Sequence, residues 1–300
     1  MNNLKKNLIL TPFNILYKIN PELDLKILFR MKLGYPLNIN NPKTFNEKLQ
    51  WIKLYDKNQL MPKCCDKYTV RKHIENKGYK YILNELLWEG FNPMDIPFDA
   101  LPDKFVIKVT HGSTFNIIVK DKNKLNKDDV IKKCQKWLKA KFIPCYGEWF
   151  YGLEKPRIIV EKFIESSAPY GILDYKFFCF NGKVKCIYVS TSKEEDDSYC
   201  IDYYDANWNL MNLRRTGHKS LGKIEKPKGF EEMKKIAEDL SKDFLHVRVD
   251  FFYENEKIYF GEMTFTTSAG FGKIDPFEYD VEMGSWLDIS KKDEKVIENL

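Results

Sequence analysis

Residues 174–190, DYKFFCFNGKVKCIYVS, contain two runs of β-forming residues on either side of a two-residue turn. The turn is Asn181-Gly182, a dipeptide that adopts at low cost the positive φ angles that a tight hairpin requires. The flanking runs, residues 175–180 and 183–190, are rich in aromatic and β-branched residues, which favour strands. The stretch therefore predicts an antiparallel hairpin, and with it an antiparallel sheet.

Further strand candidates lie between residue 105 and residue 262. They are residues 105–109, 116–119, 157–160, 247–252 and 257–262. The first two of these runs flank a polar loop, His111-Gly112-Ser113. Helical patterns occur through residues 130–138 and 230–244.

The N-terminal part, up to about residue 88, shows a mainly helical pattern. Its clearest helix start is TFNE at residues 44–47, a capping box in which Thr44 and Glu47 satisfy each other's exposed backbone donors. A second helix candidate contains Arg71 and ends near Gly78, a residue suited to the left-handed turn after a helix. Helices followed by short strands predict an α+β fold in which antiparallel sheets predominate.

The composition excludes a disordered chain and favours a multi-lobed enzyme. The 300 residues are 43% hydrophobic and 15% aromatic, which is ample for a core. Forty-nine basic and 43 acidic residues give a formal charge of +6. This mild excess suits an anionic substrate or an ordinary solvated surface. No long arginine-rich block is present, so no nucleic-acid partner is predicted.

The cysteines and the N-terminus bear on the compartment. Seven cysteines are scattered without a CxxC pair, which favours reduced thiols over disulfides or structural zinc. The apolar run at residues 8–10 is too short for a signal peptide, and no segment reaches the length that spans a bilayer. We expect a cytoplasmic protein. Peripheral contact with the inner face of the membrane stays open, as does the oligomeric state.

Two carboxylates, Asp250 and Glu262, lie on predicted strands among apolar residues. An unpaired buried carboxylate is costly, so something positive must face them. Oxygen ligands on neighbouring strands suit Mg²⁺, which is often held by one or two carboxylates together with substrate phosphates. The alternative is that both side chains point to solvent.

Lys108 interrupts an apolar strand just before the polar loop. A lysine there can reach phosphate oxygens, and the backbone amides of Gly112 and Ser113 can hold further oxygens. A solvent-facing lysine beside an ordinary hairpin turn explains the same pattern. Neither a Walker-type P-loop nor a GxGxxG fingerprint is present.

The order of these features along the chain resembles the ATP-grasp superfamily, and more narrowly the TupA-like ATP-grasp family. That family is associated with teichuronopeptide and capsule-type polysaccharide loci. The resemblance covers roughly residues 30–290. The segments that carry it are residues 42–51, 66–71, 105–112, 174–177, 248–251 and 262–265.

The resemblance implies a nucleotide site for ATP and a site for Mg²⁺. Lys108 would bind the phosphates beneath a mobile loop that contains His111, Gly112 and Ser113. A hinge would read the adenine edge, and Asp174 would hold the ribose. The residues of this hinge are Glu161, Lys162, Phe163 and Ile164.

The resemblance also implies the catalytic and metal-binding residues. Lys176 would face phosphate or the acyl-phosphate, and Arg248 would neutralise charge beside the metal. Asp250, Glu262 and Thr264 would hold Mg²⁺. Thr264 departs from the family pattern, which has asparagine there, and Thr114 stands where a second glycine is expected.

Four regions follow from the resemblance. Residues 1–100 would form a mainly helical N-terminal region, and residues 101–164 a lid subdomain that contains the glycine loop. Residues 165–290 would form the core subdomain with the metal site, so that two antiparallel-sheet subdomains enclose the nucleotide. Residues 291–300 would be a polar C-terminal tail.

The implied function is a carboxylate–amine ligase that acts through an acyl-phosphate. Its substrates would be a carbohydrate or sugar carboxylate and an amine, joined during assembly of a cell-surface polysaccharide. Candidates for substrate binding are Arg71, Arg214 and Arg215. Asp66 and Lys67 lie on the same helical segment as Arg71, and surface salt bridges at helical spacing explain these three residues as well. The alternatives are a glycosyltransferase, a sugar kinase, or a non-catalytic polysaccharide-binding protein.

Overall fold

Helices dominate the N-terminal part of the computed structural model, which describes residues 3–166, 171–192, 199–215 and 218–295. In chain order the helices are α1 (Asn3–Ile19), α2 (Pro21–Leu33), α3 (Phe45–Tyr55), α4 (Leu60–Cys65), α5 (Val70–Asn76), α6 (Lys127–Leu138), α7 (Phe230–Ser241) and α8 (Glu278–Trp286). The capping box is confirmed at the start of α3. The Thr44 hydroxyl oxygen accepts from the Glu47 backbone amide, and the Glu47 carboxylate accepts from the Thr44 backbone amide. Helix α5 is followed by Gly78 with φ 87°, as predicted.

The strands form two larger antiparallel sheets and one short pair. In chain order they are β1 (Leu86–Gly90), β2 (Phe105–Val109), β3 (Asn116–Val119), β4 (Ile158–Lys162), β5 (Asp174–Phe180), β6 (Lys183–Ser192), β7 (Tyr199–Asp205), β8 (Arg214–Arg215), β9 (His246–Glu254), β10 (Lys257–Thr264) and β11 (Ile274–Asp275). The smaller sheet has the order β1-β4-β2-β3, the larger β10-β9-β5-β6-β7, and β11 pairs with β8. The α+β class is therefore confirmed.

The predicted hairpin is the centre of the larger sheet. Strands β5 and β6 are joined by Asn181 and Gly182, whose φ angles of 49° and 81° are both positive, as the sequence requires. Strand β9 pairs with the other side of β5. The strands with the strongest local sequence signal, the β5–β6 hairpin, therefore lie in the interior of the sheet.

The two faces of β5 have different neighbours. Phe177 lies 5.9 Å from Phe230 of α7, measured between ring centroids. Phe178 and Phe180 point to the opposite face, where the ring of Phe45 from α3 lies 6.3 and 5.5 Å away. Because side chains alternate along a strand, Asp174 and Lys176 share this second face.

The smaller sheet has its own core. Phe105, Ile107 and Val109 of β2 are fully buried and pack with Val130 and Cys134 of α6. The other side chains of β2, including Lys108, are half-buried on the opposite face. The sheet thus has one face for packing and one that is available to a ligand.

Four strands were not predicted: β1, β7 and the two-residue strands β8 and β11. Strand β1 lies in the segment read as helical, and its five residues are all half-buried, so it shows no alternation that would identify a strand. Because β1 pairs with β4, the smaller sheet contains residues from before position 101. Strand β7, at the edge of the larger sheet, was also missed.

The cysteines are all free, and all but Cys65 are buried, as expected for reduced thiols. Among the helices of the described ranges, none is long and apolar enough to cross a bilayer. Of the predicted C-terminal tail, residues 296–300 lie outside the described residues.

Candidate active site

A compact cluster of charges lies on one face of the larger sheet. The register places Asp250 opposite Lys176 of β5 on one side and opposite Glu262 of β10 on the other. Arg248 lies opposite Thr264 in the same way. Three neighbouring strands thus bring together residues that are up to about 90 positions apart in the sequence.

Arg248 is the centre of this cluster. Its Nε and Nη2 donate to the two oxygens of Asp250, each at 2.7 Å, and Nη2 also lies 3.1 Å from Glu262 Oε1 and from Thr264 Oγ1. Thr264 Oγ1 donates to Glu262 Oε1 at 3.1 Å. The buried Asp250 carboxylate is therefore paired, and the solvent-facing alternative for it is excluded.

A β-bulge at Gly261 sets the register of the cluster. Phe260 lies opposite Phe251, whereas Glu262 lies opposite Asp250, so Gly261 is the extra residue on β10. A Cβ atom added to Gly261 would lie 3.0 Å from the backbone oxygen of Asp250, closer than most such contacts. The missing side chain lets β10 approach β9 closely beside the two carboxylates.

Lys176 connects the cluster to Asp174. Its Nζ donates to Asp250 Oδ2 at 2.7 Å and to Asp174 Oδ2. Burial raises the pKa of Asp174 to about 6 despite the nearby lysine. Asp174 Oδ1 is buried and has no hydrogen-bond partner among the described residues. A ligand hydroxyl can supply that missing donor.

The donor set fits a divalent cation. Although burial opposes ionisation, Lys67, Arg248 and Lys176 lower the pKa of Glu262 to about 2, so this carboxylate is charged at neutral pH, as a metal ligand must be. Its side chain is 36% exposed, so it is open to a ligand. Mg²⁺ is often bound by one or two carboxylates together with phosphate oxygens, and Asp250 and Glu262 are two neighbouring carboxylates. In the described ranges no group of three or more His, Cys, Asp or Glu side chains that could hold a metal ion is found.

A second group of charges lies on the smaller sheet around Glu161, which is buried. Lys108 Nζ donates to Glu161 Oε2 at 2.7 Å, and Arg71 Nη1 donates to Glu161 Oε1 at 3.2 Å. Arg71 also donates to the carbonyl oxygen of Asn84. Lys108 is therefore not a freely solvated lysine; it is held at the face of the sheet beside Arg71.

The backbone of the predicted hinge is hydrogen-bonded at Lys162, at the end of β4. The Lys162 amide donates to Glu85, and its carbonyl accepts from the Asn84 side chain. Phe163 and Ile164 are half-buried and lie beyond the sheet. Glu161 and Lys162 of the predicted hinge pair with β2, whereas Phe163 and Ile164 lie beyond the end of the strand.

The glycine loop is shaped by close contacts. A Cβ atom on Gly112 would lie 2.1 Å from the ring of Phe115, so this position requires glycine. His111 Nε2 lies 3.0 Å from the carbonyl oxygen of Ala140. Thr114, which stands where a second glycine was expected, has φ 63°, a backbone conformation in which glycine is less strained. Ser113 is exposed at the tip of the loop.

Lys67 joins the two groups of charges. Its Nζ donates to the carbonyl oxygen of Gly112 at 2.8 Å and lies 3.8 Å from Glu262 Oε2. The narrow cleft that contains Lys67 is lined by residues from both sheets, among them Lys108, Glu161 and Gly261. The sequence placed Lys67 beside Arg71 and gave no reason to connect it with Glu262.

The remaining candidates have other contacts. Asp66 Oδ1 accepts from the backbone amides of Tyr68 and Thr69 and thereby stabilises the turn that begins α5. Arg214 is exposed on β8, which pairs with β11 and not with the strands of the charged cluster. The side chain of Arg215 lies outside the described residues.

Glu148 and Tyr151, which the sequence did not single out, border the cluster. Glu148 Oε1 accepts from Thr266 Oγ1 at 2.5 Å, and Thr266 follows Thr264 by two positions. Burial, Glu148 and Glu262 all raise the pKa of Tyr151. No periodic pattern marks residues 139–156, so only the folded chain shows that Glu148 and Tyr151 lie near the end of β10.

Comparison with known proteins gives one family match and several structural neighbours. A family model described as TupA-like ATPgrasp matches residues 47–288. No curated protein matches the chain. The neighbours include D-alanine–D-alanine ligase from Bacillus anthracis complexed with ATP, with 16% identity and a TM-score of 0.46 over 78% of this chain and 68% of that one. The Helicobacter pylori enzyme of the same name has 15% identity and a TM-score of 0.42, over 75% and 61% of the two chains.

Proposed function

The chain belongs to the TupA-like ATP-grasp family and is an ATP-dependent ligase, and from this premise we propose that it joins a carboxylate to an amine through an acyl-phosphate. The observation that carries the proposal is the cluster of Arg248, Asp250, Glu262 and Thr264 beside Lys176. A protein that only binds polysaccharide has no need of buried carboxylates and cations in this arrangement.

The residues divide into those that hold the nucleotide and those that act on the phosphoryl group. Lys108 binds the phosphates in the ground state, with Ser113 and Gly112 in the loop above them. Asp174 accepts from a ribose hydroxyl, and Phe163 and Ile164 contact the base. The orphaned Oδ1 of Asp174 and the half-buried Lys108 support these roles.

Asp250, Glu262 and Thr264 would hold Mg²⁺. This ion supplies charge neutralisation at phosphate oxygens. Arg248 and Lys176 lie beside the same carboxylates and stabilise negative charge as it moves onto the transferred phosphoryl group. No covalent nucleophile is needed, because positioning and charge neutralisation provide most of the acceleration.

Lys67 has a role that follows from its two contacts. It holds the glycine loop through Gly112 and lies near Glu262 of the metal site. We propose that bound nucleotide replaces one of these two contacts of Lys67. The position of Lys67 would then couple nucleotide binding to both sheets. Residues 101–164 would then act as a lid, with β1 as an additional strand, and residues 165–290 as the core.

The proposed carboxylate is a sugar acid and the proposed pathway is assembly of a surface polysaccharide at the cytoplasmic face of the membrane. Support comes from the family and from the excess of basic residues, which suits an anionic substrate. Incubation with ATP, Mg²⁺, candidate uronic acids and amino acids tests the reaction. ADP with an amide product supports ligation. A nucleoside diphosphate released from a sugar nucleotide, or a phosphorylated sugar without amide, contradicts it.

A further inference from the structure

A cavity of about 520 Å³ lies between α1, the loop after α6 and the segment that precedes β4. Its size is within the range of small-molecule sites, roughly 300–1,000 Å³. It is lined by residues 138–144, 148, 149, 151 and 152, with Tyr17, His111 and Pro156. None of the nucleotide and metal residues discussed above lines it, apart from His111 of the loop.

The cavity has an aromatic wall and one acidic group. Phe142 and Tyr151 stack with their ring centroids 4.5 Å apart, and Tyr17 and Trp149 contribute further rings. Glu148 is half-buried, and its Oε2 makes neither a hydrogen bond nor an ion pair with any residue in the described ranges. Burial raises the pKa of this carboxyl, while the Thr266 hydroxyl and the more distant Lys53 oppose the shift.

Glu148 makes no direct ion pair in the described ranges, and Lys53 acts on it only at longer range. A half-buried carboxylate of this kind, next to aromatic faces, favours a positively charged ligand group. Lys139 and Lys141 are exposed at the rim of the same cavity and favour an anionic group there. A ligand that is cationic at one end and anionic at the other meets both requirements. Free α-amino acids have this charge distribution.

The cavity is also next to the charged cluster. The Glu148 carboxylate accepts from Thr266, two residues after Thr264, whose hydroxyl donates to Glu262. A ligand amine at Glu148 is therefore close to the end of β10, where the proposed acyl-phosphate forms. We propose that this cavity binds an α-amino acid as the amine substrate, with its ammonium group on Glu148; the proposal rests on the ligase function given above.

The proposed reaction requires a group that accepts a proton from the amine substrate. An ammonium has no lone pair, so it must lose a proton before it attacks a carbonyl. Glu148 Oε2 takes one proton from the ammonium and leaves the neutral amine. The nitrogen lone pair then forms the C–N bond, the C–O bond to phosphate breaks, and the second proton leaves with the phosphate as HPO₄²⁻. Glu148 returns its proton to solvent when the product leaves.

Binding is tested with the full chain by saturation-transfer difference NMR, with a mixture of the protein amino acids as the probe. The variants are Glu148→Gln, which keeps the shape, and Ala140→Trp, which fills the cavity from its wall. Glu231→Gln, an exposed glutamate on α7 that pairs with Lys226, is the matched control. We expect a signal from at least one amino acid with the unmodified protein and the control, and binding about tenfold weaker in both cavity variants.

Catalysis is tested separately with hydroxylamine, which is neutral at pH 7 and traps an acyl-phosphate as a hydroxamate. With ATP and glucuronate as probes, the ratio of amide to hydroxamate should fall about a hundredfold in Glu148→Gln. Absence of hydroxamate from the unmodified protein, with amino-acid binding lost in the cavity variants, refutes the ligase reaction and leaves the amino-acid site standing. No amino-acid signal from the unmodified protein, or equal binding by all variants, overturns the site itself.

Discussion

Replacement of Lys176 by methionine separates a catalytic lysine from a structural one. Lys176 lies between Asp174 and Asp250, and both carboxylates contact its Nζ. Its side chain is 12% exposed, so the pair is not a surface salt bridge of negligible value. Asp250 keeps two hydrogen bonds from Arg248 in the variant, whereas Asp174 contacts no other cation among the residues that the structure describes.

The structure sets the size of the effect on stability. Because burial raises the pKa of Asp174 to about 6, this carboxyl can respond to the loss of the lysine by becoming protonated, which costs roughly 1 to 2 kcal/mol at pH 7. In the variant Asp250 is also less well solvated, which adds to the cost. We therefore expect the free energy of unfolding to fall by roughly 2 to 3 kcal/mol near pH 8. Below pH 6 Asp174 is protonated in both proteins, so the difference must shrink as the pH falls.

Urea denaturation at pH 8 and pH 5.5 measures this, with Lys176→Arg as the control that keeps the charge. In parallel, Lys176→Met should reduce turnover about a hundredfold while ATP affinity changes only a few-fold. A stability loss that is the same at both pH values refutes the pairing with Asp174. Unchanged single-turnover ADP formation removes Lys176 from the active site.

Three further predictions concern other parts of the fold and site. Lys108→Ala should weaken ATP binding, measured by calorimetry, whereas Glu262→Gln should abolish turnover with a smaller loss of affinity; near-normal values for both would make these residues structural neighbours only. Gly261→Ala places a Cβ against Asp250, so the free energy of unfolding should fall by about 1–3 kcal/mol and activity with it; a fully active, equally stable variant contradicts the close approach of β10. Gly182→Ala should cost about 1 kcal/mol in thermal unfolding without changing ATP affinity, because its φ of 81° disfavours a side chain.

Local signals in the sequence predicted the parts of the fold that depend on neighbours along the chain. The Asn181-Gly182 turn and the capping box at Thr44 each need only a few adjacent residues, and both are present. Strand β1 is specified by its pairing with β4, about 70 residues later, and its own composition does not reveal it.

The candidate site divides in the same way. Asp250 and Glu262 could be selected because charged residues on apolar strands are expensive, whereas Lys176 and Arg248 were selected only through the family resemblance. The sheet register brings all four together. The sequence could not show that Arg248 holds both carboxylates, nor that Lys108 pairs with Glu161. Those contacts depend on the strand register and on how the sheets lie against α5.

Glu148 shows the limit most clearly. Nothing distinguishes it from other glutamates in sequence, because it lies in an irregular segment between α6 and β4. Its environment comes from Thr266 and Lys53, both more than 90 residues away. The sequence around Glu148 carries no motif, so only the fold brings this residue to notice.

Transfer of ¹⁸O from the carboxylate substrate to phosphate tests the central claim most directly. The protein is incubated with ATP, Mg²⁺, an amino-acid mixture and glucuronate labelled with ¹⁸O in its carboxyl group, and the released phosphate is examined by mass spectrometry. Formation of an acyl-phosphate requires that one labelled oxygen appears in each inorganic phosphate, and Glu262→Gln should abolish the transfer. Phosphate that is released with the amide product but without label would contradict the mechanism.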